Sequence, residues 1–179
     1  MILTSVDLGE KKIDIPVYDI VGKRPGKTLL VTAGMDGDEY ASIEACYRFA
    51  DRISPSDIAG RLIIIPVVNT PGFWAETSIN PLDQKFLKFM GIGKADGTAS
   101  QRLVHWLART YACKSDLWLD LHGGARTETI ASYVWGWETK IAEIDIFTKQ
   151  FIVDYTGPFG IFEQQRFPIG KAAALARIG

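Results

Sequence analysis

Short apolar runs alternate with stretches of helical periodicity along the 179 residues of the chain. The runs are rich in β-branched residues and are bounded by turn residues, which is typical of buried strands. They predict strands at residues 12–19, 28–33, 61–68, 117–121 and 131–135. Because strands and helices alternate, the pattern predicts an α/β fold with a mainly parallel or mixed central sheet flanked by helices.

Helical spacing predicts the elements between these strands. One helix is indicated by residues that recur on a single face, namely Ser42, Ala45, Cys46, Phe49 and Ile53. A capping box, Thr98-x-x-Gln101, opens another, whose predicted buried face is Leu103, Trp106, Leu107 and Thr110. Residues 138–148 and 171–178 are predicted to form further helices.

The segments that remain are turns and one long connection. Residues 23–27, with Pro25 and Gly26, predict a turn. Pro66 indicates that its strand either ends nearby or contains a local bulge. Residues 69–97 lack a sustained period but carry interleaved aromatic residues, which favours an ordered loop. These aromatic residues are Phe73, Trp74, Phe86 and Phe89.

Composition narrows the class of protein. Apolar residues make up 47% of the chain, enough for the core of one domain covering residues 1–179. Because 20 basic residues balance 21 acidic ones, we expect no nucleic-acid partner. The first residues lack a secretory signal pattern and no apolar run reaches the roughly 20 residues that span a bilayer, so we expect a cytoplasmic protein without a membrane partner. Cys46 and Cys113 are expected to be small buried apolar residues.

Polar clusters follow two of the predicted strands. Asp36 and Glu39 come after the strand at 28–33, and His122 comes at the end of the strand at 117–121. Since ligands gather at the carboxyl ends of parallel strands, these side chains are expected to converge. Two carboxylates and one imidazole leave a position open for water, as in catalytic zinc sites. Acidic residues also stabilise helix N-termini, and a single histidine is often structural, so the residues alone leave both interpretations open.

The order of several blocks resembles the succinylglutamate desuccinylase/aspartoacylase branch of the zinc carboxypeptidase superfamily. The run A-G-M-D-G-D-E (33–39) is similar to the branch's G-x-H-G-x-E block, and V-V-N-T-P-G-F (67–73) to its N-P-x-G-F turn. N-P-L-D (80–83) resembles its P-x-D, and G-T-A-S-Q-R (97–102) the start of its next helix. D-L-H-G-G (120–124) resembles the block that carries the last zinc ligand.

The resemblance implies a zinc-carboxypeptidase-like domain that hydrolyses an amide bond next to a carboxylate in a small-molecule substrate, with one Zn²⁺ per chain. Carried over by position, the metal ligands are Asp36, Glu39 and His122, and Asp120 is a candidate hydrogen-bond partner of His122. In the family the catalytic glutamate lies on a strand after a helix like 171–178. We therefore expect the general base beyond Gly179, in a C-terminal part of the domain that the chain lacks.

The chain departs from the family pattern at the site itself. Asp36 stands where the family has histidine, which brings the formal charge of the metal and its ligands to about zero, weakens the metal's pull on its water and makes Mn²⁺ or Mg²⁺ more competitive. Ser78 stands where relatives carry an arginine. Lys88 is a candidate to replace a second arginine against the substrate carboxylate, and a lysine that faces solvent is the alternative. Arg126 is another candidate for binding this anion.

Three hypotheses follow. The first is a metal-dependent hydrolase of an N-acyl amino acid or a peptide-like substrate. The second is a non-catalytic relative of the same fold that binds a metal or small ligand. The third is a binding module whose aromatic loop contacts a protein, which requires those rings to be exposed. The sequence leaves the substrate and the oligomeric state open.

Overall fold

The computed structural model describes residues 1–163. Strands β1–β5 are Ile2–Asp7, Lys12–Val21, Arg24–Ala33, Ala59–Ile65 and Leu117–Leu121. Helices α1–α4 are Tyr40–Arg52, Thr70–Trp74, Ala99–Thr110 and Ala142–Asp154. Strands β6 and β7 are Tyr133–Trp137 and Phe159–Glu163, and short 3₁₀ turns cover Leu87–Phe89 and Ala112–Lys114.

Strands β1 to β5 form one mixed sheet in the order β1-β2-β4-β3-β5. Strand β3 is parallel to both of its neighbours, with Val31 opposite Ile64 of β4 and Leu119 of β5. Strand β2 runs antiparallel to β1 and to β4. The predicted α/β class with a mixed central sheet is therefore confirmed, and the carboxyl ends of β3 and β5 lie side by side.

The two faces of the sheet are buried against different helices. Because side chains alternate along a strand, Leu30 and Ile65 face one side while Val31 and Ile64 face the other. The first side packs with α3, and the second packs with α1. The α3 residues on the first side are Leu103, Val104 and Leu107, and the α1 residues on the second are Ile43, Cys46 and Ala50. The central strands are buried on both faces, which explains their continuous apolar runs.

The predicted turn at residues 23–27 is wrong beyond its first residue. Arg24 pairs with Ala59 and Thr28 with Arg61, with a change of register between the two pairs, so residues 24–27 belong to β3. The bulge accommodates Pro25 and Gly26, because a bulged residue need not donate to the ladder. Strand β4 ends at Ile65, three residues before the predicted end at residue 68, so Pro66 follows the strand rather than forming a bulge within it.

The helices occupy the predicted segments, with corrected faces and bounds. On α1 the buried positions are Ser42, Ile43, Cys46 and Ala50, whereas Ala45 and Phe49 are exposed. On α3 the predicted Trp106 and Thr110 are only partly buried, and Val104 and Ala108 complete the buried face. Helix α4 begins at Ala142, later than predicted, because the Asp145 carboxylate holds the backbone of Thr139 and Lys140 in a turn.

The remaining predictions about chain segments have different outcomes. Strand β6 begins two residues after the predicted start and pairs in parallel with β7. The predicted helix at 171–178 lies outside the described residues.

Cys46 is buried, Cys113 is partly buried, and neither forms a disulfide within residues 1–163. In that same part of the chain, no helix combines the length and the apolar character needed to cross a membrane.

Candidate metal centre

The loop after β3 positions the two predicted carboxylate ligands. Gly34 turns the chain away from the sheet with a φ of 63°, a conformation that glycine adopts without strain. Gly37 lies against the backbone of Gly72 in α2, where a Cβ atom would come within 2.3 Å of the Gly72 carbonyl carbon. The loop is therefore pressed against α2. In consequence Asp36 is 1% exposed, and Glu39, which precedes the first turn of α1, is buried as well.

His122 reaches the same place from the neighbouring strand. Since β5 pairs with β3 up to Leu121 and Ala33, the residue that follows each strand lies at one edge of the sheet. The Gly123 backbone N–H donates to Glu39 Oε2 at 3.0 Å, which fixes the turn after β5 to the loop after β3. The convergence expected for Asp36, Glu39 and His122 is present: one ligand atom from each residue lies within 4.8 Å of the others.

The distances at the site suit a small cation. His122 Nδ1 lies 2.9 Å from Glu39 Oε2 and 3.6 Å from Asp36 Oδ2. Asp36 Oδ1 is buried and has no hydrogen-bond partner. A buried carboxylate oxygen without a donor is costly unless something else satisfies it. The donor set of two carboxylates and an imidazole therefore fits a divalent metal ion such as zinc.

A chain of hydrogen bonds holds His122 on the Nε2 side of its ring. His122 Nε2 lies 3.0 Å from Asp120 Oδ2, so the contact suggested by the sequence is present. Thr32 Oγ1 donates to Asp120 Oδ1 at 2.6 Å, and Trp118 Nε1 donates to Thr32 Oγ1 at 2.7 Å. Because the carboxylate accepts, Nε2 carries a proton and Nδ1 is the nitrogen that faces Asp36 and Glu39.

The charges of the cluster are strongly coupled. Partial burial would lower the pKa of His122, but its contacts with Asp120, Asp36 and Glu39 outweigh burial and raise that pKa to about 12 in the metal-free protein. Burial would raise the pKa of Asp36, yet its contacts with His122 and Lys88 hold it below the usual value. In the metal-free site, three carboxylates thus lie around two cations, protonated His122 and Lys88.

Lys88, a candidate partner of the substrate carboxylate, makes a contact with Asp36 that the sequence did not indicate. Its Nζ donates to Asp36 Oδ2 at 2.6 Å, and its side chain remains 37% exposed. The buried Leu87 anchors the 3₁₀ turn that carries it. Lys88 Nζ lies 5.0 Å from the centroid of the Phe86 ring and 5.7 Å from that of the Phe89 ring. Lys88 is therefore at the site, paired with a candidate metal ligand.

The other candidate anion-binding residues lie in different surroundings. Arg126 pairs with Glu76, and both side chains are more than half exposed. Ser78 Oγ donates to Asp38 Oδ1 at 2.6 Å, so the serine that replaces a family arginine joins the long loop to the loop after β3. Sequence reasoning missed this contact, because a serine and an aspartate far apart in the chain carry no signal of pairing.

Acidic residues elsewhere in the described part of the chain, such as Glu128, Glu143 and Glu163, are not part of the cluster. Glu128 Oε2 accepts from the Ala125 backbone, and Glu163 ends β7. Glu143 lies in the first turn of α4. Among residues 1–163, Asp36, Glu39 and His122 form the group of metal-binding side chains that comes together.

The aromatic loop is partly exposed. Trp74 and Phe89 are 81% and 70% exposed, and Phe86 is 37% exposed. Phe73 is half-buried and packs edge-to-face against Tyr40 at the start of α1. Phe73 therefore packs against the core, while Trp74, Phe86 and Phe89 are exposed, so the exposure required by the binding-module hypothesis is met in part.

Comparison with known proteins agrees with the fold. The family model described as the succinylglutamate desuccinylase/aspartoacylase catalytic domain matches residues 25–148. An N-alpha-acetyl-L-2,4-diaminobutyric acid deacetylase of Halomonas elongata is 36% identical over 119 residues, which are 66% of this chain and 34% of that protein.

Solved structures are similar over most of the chain. The crystal structure of a succinylglutamate desuccinylase from Silicibacter sp. TM1040 superposes with a TM-score of 0.81 and 25% identity, covering 92% of this chain and 50% of that one. The product-bound ectoine utilization protein EutE (DoeB) from Ruegeria pomeroyi gives a TM-score of 0.80 at 25% identity, with 92% and 50% coverage. The chain therefore spans half or less of the length of these relatives.

Proposed function

The chain belongs to the succinylglutamate desuccinylase/aspartoacylase family, and on that premise we propose that it contributes the metal centre of an amide hydrolase. The substrate class is an N-acyl amino acid or a related peptide-like molecule whose scissile amide lies next to a carboxylate. The similarity to a deacetylase of an N-acetylated amino acid supports this class. Zn²⁺ is the proposed metal, with Mn²⁺ or Mg²⁺ as competitors because two of the three ligands are carboxylates.

One observation carries the proposal: ligand atoms of Asp36, Glu39 and His122 lie within 4.8 Å of one another. The unpartnered oxygen of the buried Asp36 carboxylate supports it. The proposed donors are His122 Nδ1, one oxygen of Glu39 and Asp36 Oδ2, which lies 3.6 Å from that nitrogen and accepts from Lys88 in the metal-free protein. A bound Zn²⁺ would polarise the substrate carbonyl and lower the pKa of a coordinated water molecule.

The chain's own residues have distinct proposed roles. Asp120 keeps the proton on His122 Nε2, which leaves Nδ1 free to face the metal. The Gly123 N–H holds the Glu39 carboxylate in place. Lys88 and Arg126 are the proposed partners of the substrate carboxylate, Lys88 as a point charge and Arg126 as a planar fork. We propose no described residue as the general base.

A second candidate function is metal or ligand binding without hydrolysis. It is favoured by Asp36, which replaces a neutral ligand with an anionic one, and by the cation already bound to it. An anionic ligand set donates more charge to the metal and weakens its effect on the substrate. Turnover of N-acetyl amino acids by the metal-loaded chain, measured by release of acetate, would contradict this candidate.

The first prediction tests the metal centre by elemental analysis. After loading with Zn²⁺ and dialysis, the chain is expected to retain about one equivalent of zinc per molecule, and His122→Ala and Glu39→Ala are each expected to lose it. His105→Ala is the matched control, because His105 lies within α3 and is not in the cluster. The proposal would be contradicted if the unaltered chain retained no zinc, or if His105→Ala lost as much zinc as His122→Ala and Glu39→Ala.

A further inference from the structure

Asp36 is a buried anion with one satisfied and one unsatisfied oxygen. Oδ2 accepts from Lys88, while Oδ1 has no donor. An ionised carboxylate that is 1% exposed requires a compensating cation, because burial of an unpaired charge is strongly unfavourable. In the metal-free protein Lys88 supplies the nearest such cation, at 2.6 Å from Oδ2, whereas His122 Nδ1 lies 3.6 Å from the same oxygen.

The position of Lys88 is fixed by its neighbours along the chain. Leu87 is buried in the core beneath the sheet, so the backbone of the 3₁₀ turn cannot move freely. The faces of Phe86 and Phe89 lie within cation–π distance of Nζ. A carboxylate and two aromatic rings thus surround one ammonium group, which distinguishes Lys88 from a lysine that extends into solvent.

We infer that Lys88 is a resident counter-ion of Asp36 that a divalent metal must displace in order to bind. This inference rests on the proposed metal centre and assigns a separate role to this residue. The ammonium neutralises Asp36 and repels an approaching cation, so it lowers the affinity of the site for metal. It also stabilises the metal-free fold, in which Asp36 would otherwise lack its nearest counter-charge.

Displacement has a defined path in the structure. The Lys88 side chain is 37% exposed, so its flexible stem permits the ammonium to leave Oδ2 without movement of Leu87. The rings of Phe86 and Phe89 remain beside it and continue to favour a cation there. The displaced ammonium then lies at the rim of the site, where the proposed function requires a group that binds the substrate carboxylate.

The test compares Lys88→Met with the unaltered chain by competition for Zn²⁺ against a chelator of known affinity. Methionine keeps an unbranched apolar stem and removes the charge. The variant is expected to bind Zn²⁺ about tenfold more tightly, since a hydrogen bond between charged groups no longer has to be broken. Without metal, its midpoint of thermal unfolding is expected to fall by about 3 °C, and the gain on adding Zn²⁺ is expected to exceed that of the unaltered chain.

Lys94→Met is the matched control, because Lys94 is an exposed lysine of the same loop whose side chain makes no ion pair among the described residues. It removes the same charge from the protein and is expected to change the zinc affinity less than twofold. If Lys88→Met is unfolded without metal, Zn²⁺ is expected to restore its helical circular dichroism. Lys88→Gln provides a second neutral variant with the same expected change in affinity.

The outcomes separate the two proposals. Equal or weaker zinc binding by Lys88→Met and Lys88→Gln overturns the counter-ion role while the metal centre stands. If Lys88→Met is unfolded without metal and Zn²⁺ does not restore its helical circular dichroism, the counter-ion role is overturned as well. Absence of zinc binding by the unaltered chain and by both variants overturns the metal centre together with this inference.

Discussion

His122 has a different partner on each ring nitrogen, and this difference decides which nitrogen faces a metal ion. Asp120 lies against Nε2, and Glu39 and Asp36 lie near Nδ1. Thr32 and Trp118 hold Asp120 through donors that leave the carboxylate little freedom to rotate. The orientation of the His122 ring thus depends on Thr32, which is buried in the neighbouring strand β3.

Replacement of Asp120 by asparagine tests this arrangement. An amide N–H₂ directed at Nε2 favours the tautomer that carries its proton on Nδ1, so Asp120→Asn is expected to weaken zinc binding by about 10–100-fold. Chelator competition measures the change. Asp116→Asn is the control, because Asp116 precedes β5 at its other end and accepts a hydrogen bond from the Thr28 backbone that asparagine can also accept. Unchanged affinity in Asp120→Asn would show that Asp120 does not set the tautomer.

At the scale of the element, the start of α3 depends on a residue from the long loop. Helix N-termini leave backbone N–H groups without partners. The Gln101 side chain accepts from the Thr98 N–H at 3.1 Å, as the predicted capping box requires. Asp83 accepts from the Ser100 backbone N–H at 2.9 Å and from its hydroxyl at 2.7 Å. The P-x-D block therefore serves to join the long loop to this helix.

Removal of that carboxylate is expected to destabilise the fold. Asp83→Ala is predicted to lower the free energy of unfolding by about 1–2 kcal/mol at neutral pH, measured by urea denaturation. Burial opposes ionisation of Asp83, but hydrogen bonds from the backbone and the hydroxyl of Ser100 hold its pKa below the usual value. The stabilisation is thus fully present above the unfolded-state pKa of about 3.9 and is lost as the pH falls through the lower folded-state pKa.

The difference between Asp83→Ala and the unaltered chain is accordingly expected to shrink at about pH 3. Asp96→Ala is the control, since Asp96 is exposed in the same segment and its side chain has no hydrogen bond among the described residues. A stability difference that stays constant down to that pH would exclude ionised Asp83 as the source.

Sequence patterns predicted the elements better than the paths between them. The strand at Leu117–Leu121 and the capping box at Thr98 are strong local signals, and both are confirmed. The turn predicted at Pro25 and Gly26 fails because pairing with Ala59 in β4 extends β3 through them. That pairing is a tertiary contact, and no local pattern encodes it.

At the scale of the whole molecule, the sheet order explains the site. Because β3 and β5 are adjacent and parallel, the loop with Asp36 and the turn with His122 meet at one edge of the sheet, as was predicted from the sequence. The long loop then crosses this edge and places Lys88 on Asp36. That contact was not predictable, because the path of the loop depends on the burial of Leu87 and on the contact between Ser78 and Asp38.

The proposed metal site consists of Asp36, Glu39 and His122. Anomalous diffraction at the zinc absorption edge, from crystals of the zinc-loaded chain, would locate the ion. We expect a single strong peak about 2.0–2.2 Å from His122 Nδ1 and from one oxygen of each carboxylate, with the Lys88 ammonium moved away from Asp36. A peak bound to other residues, or no peak at these three residues in crystals that contain zinc, would rule out this site.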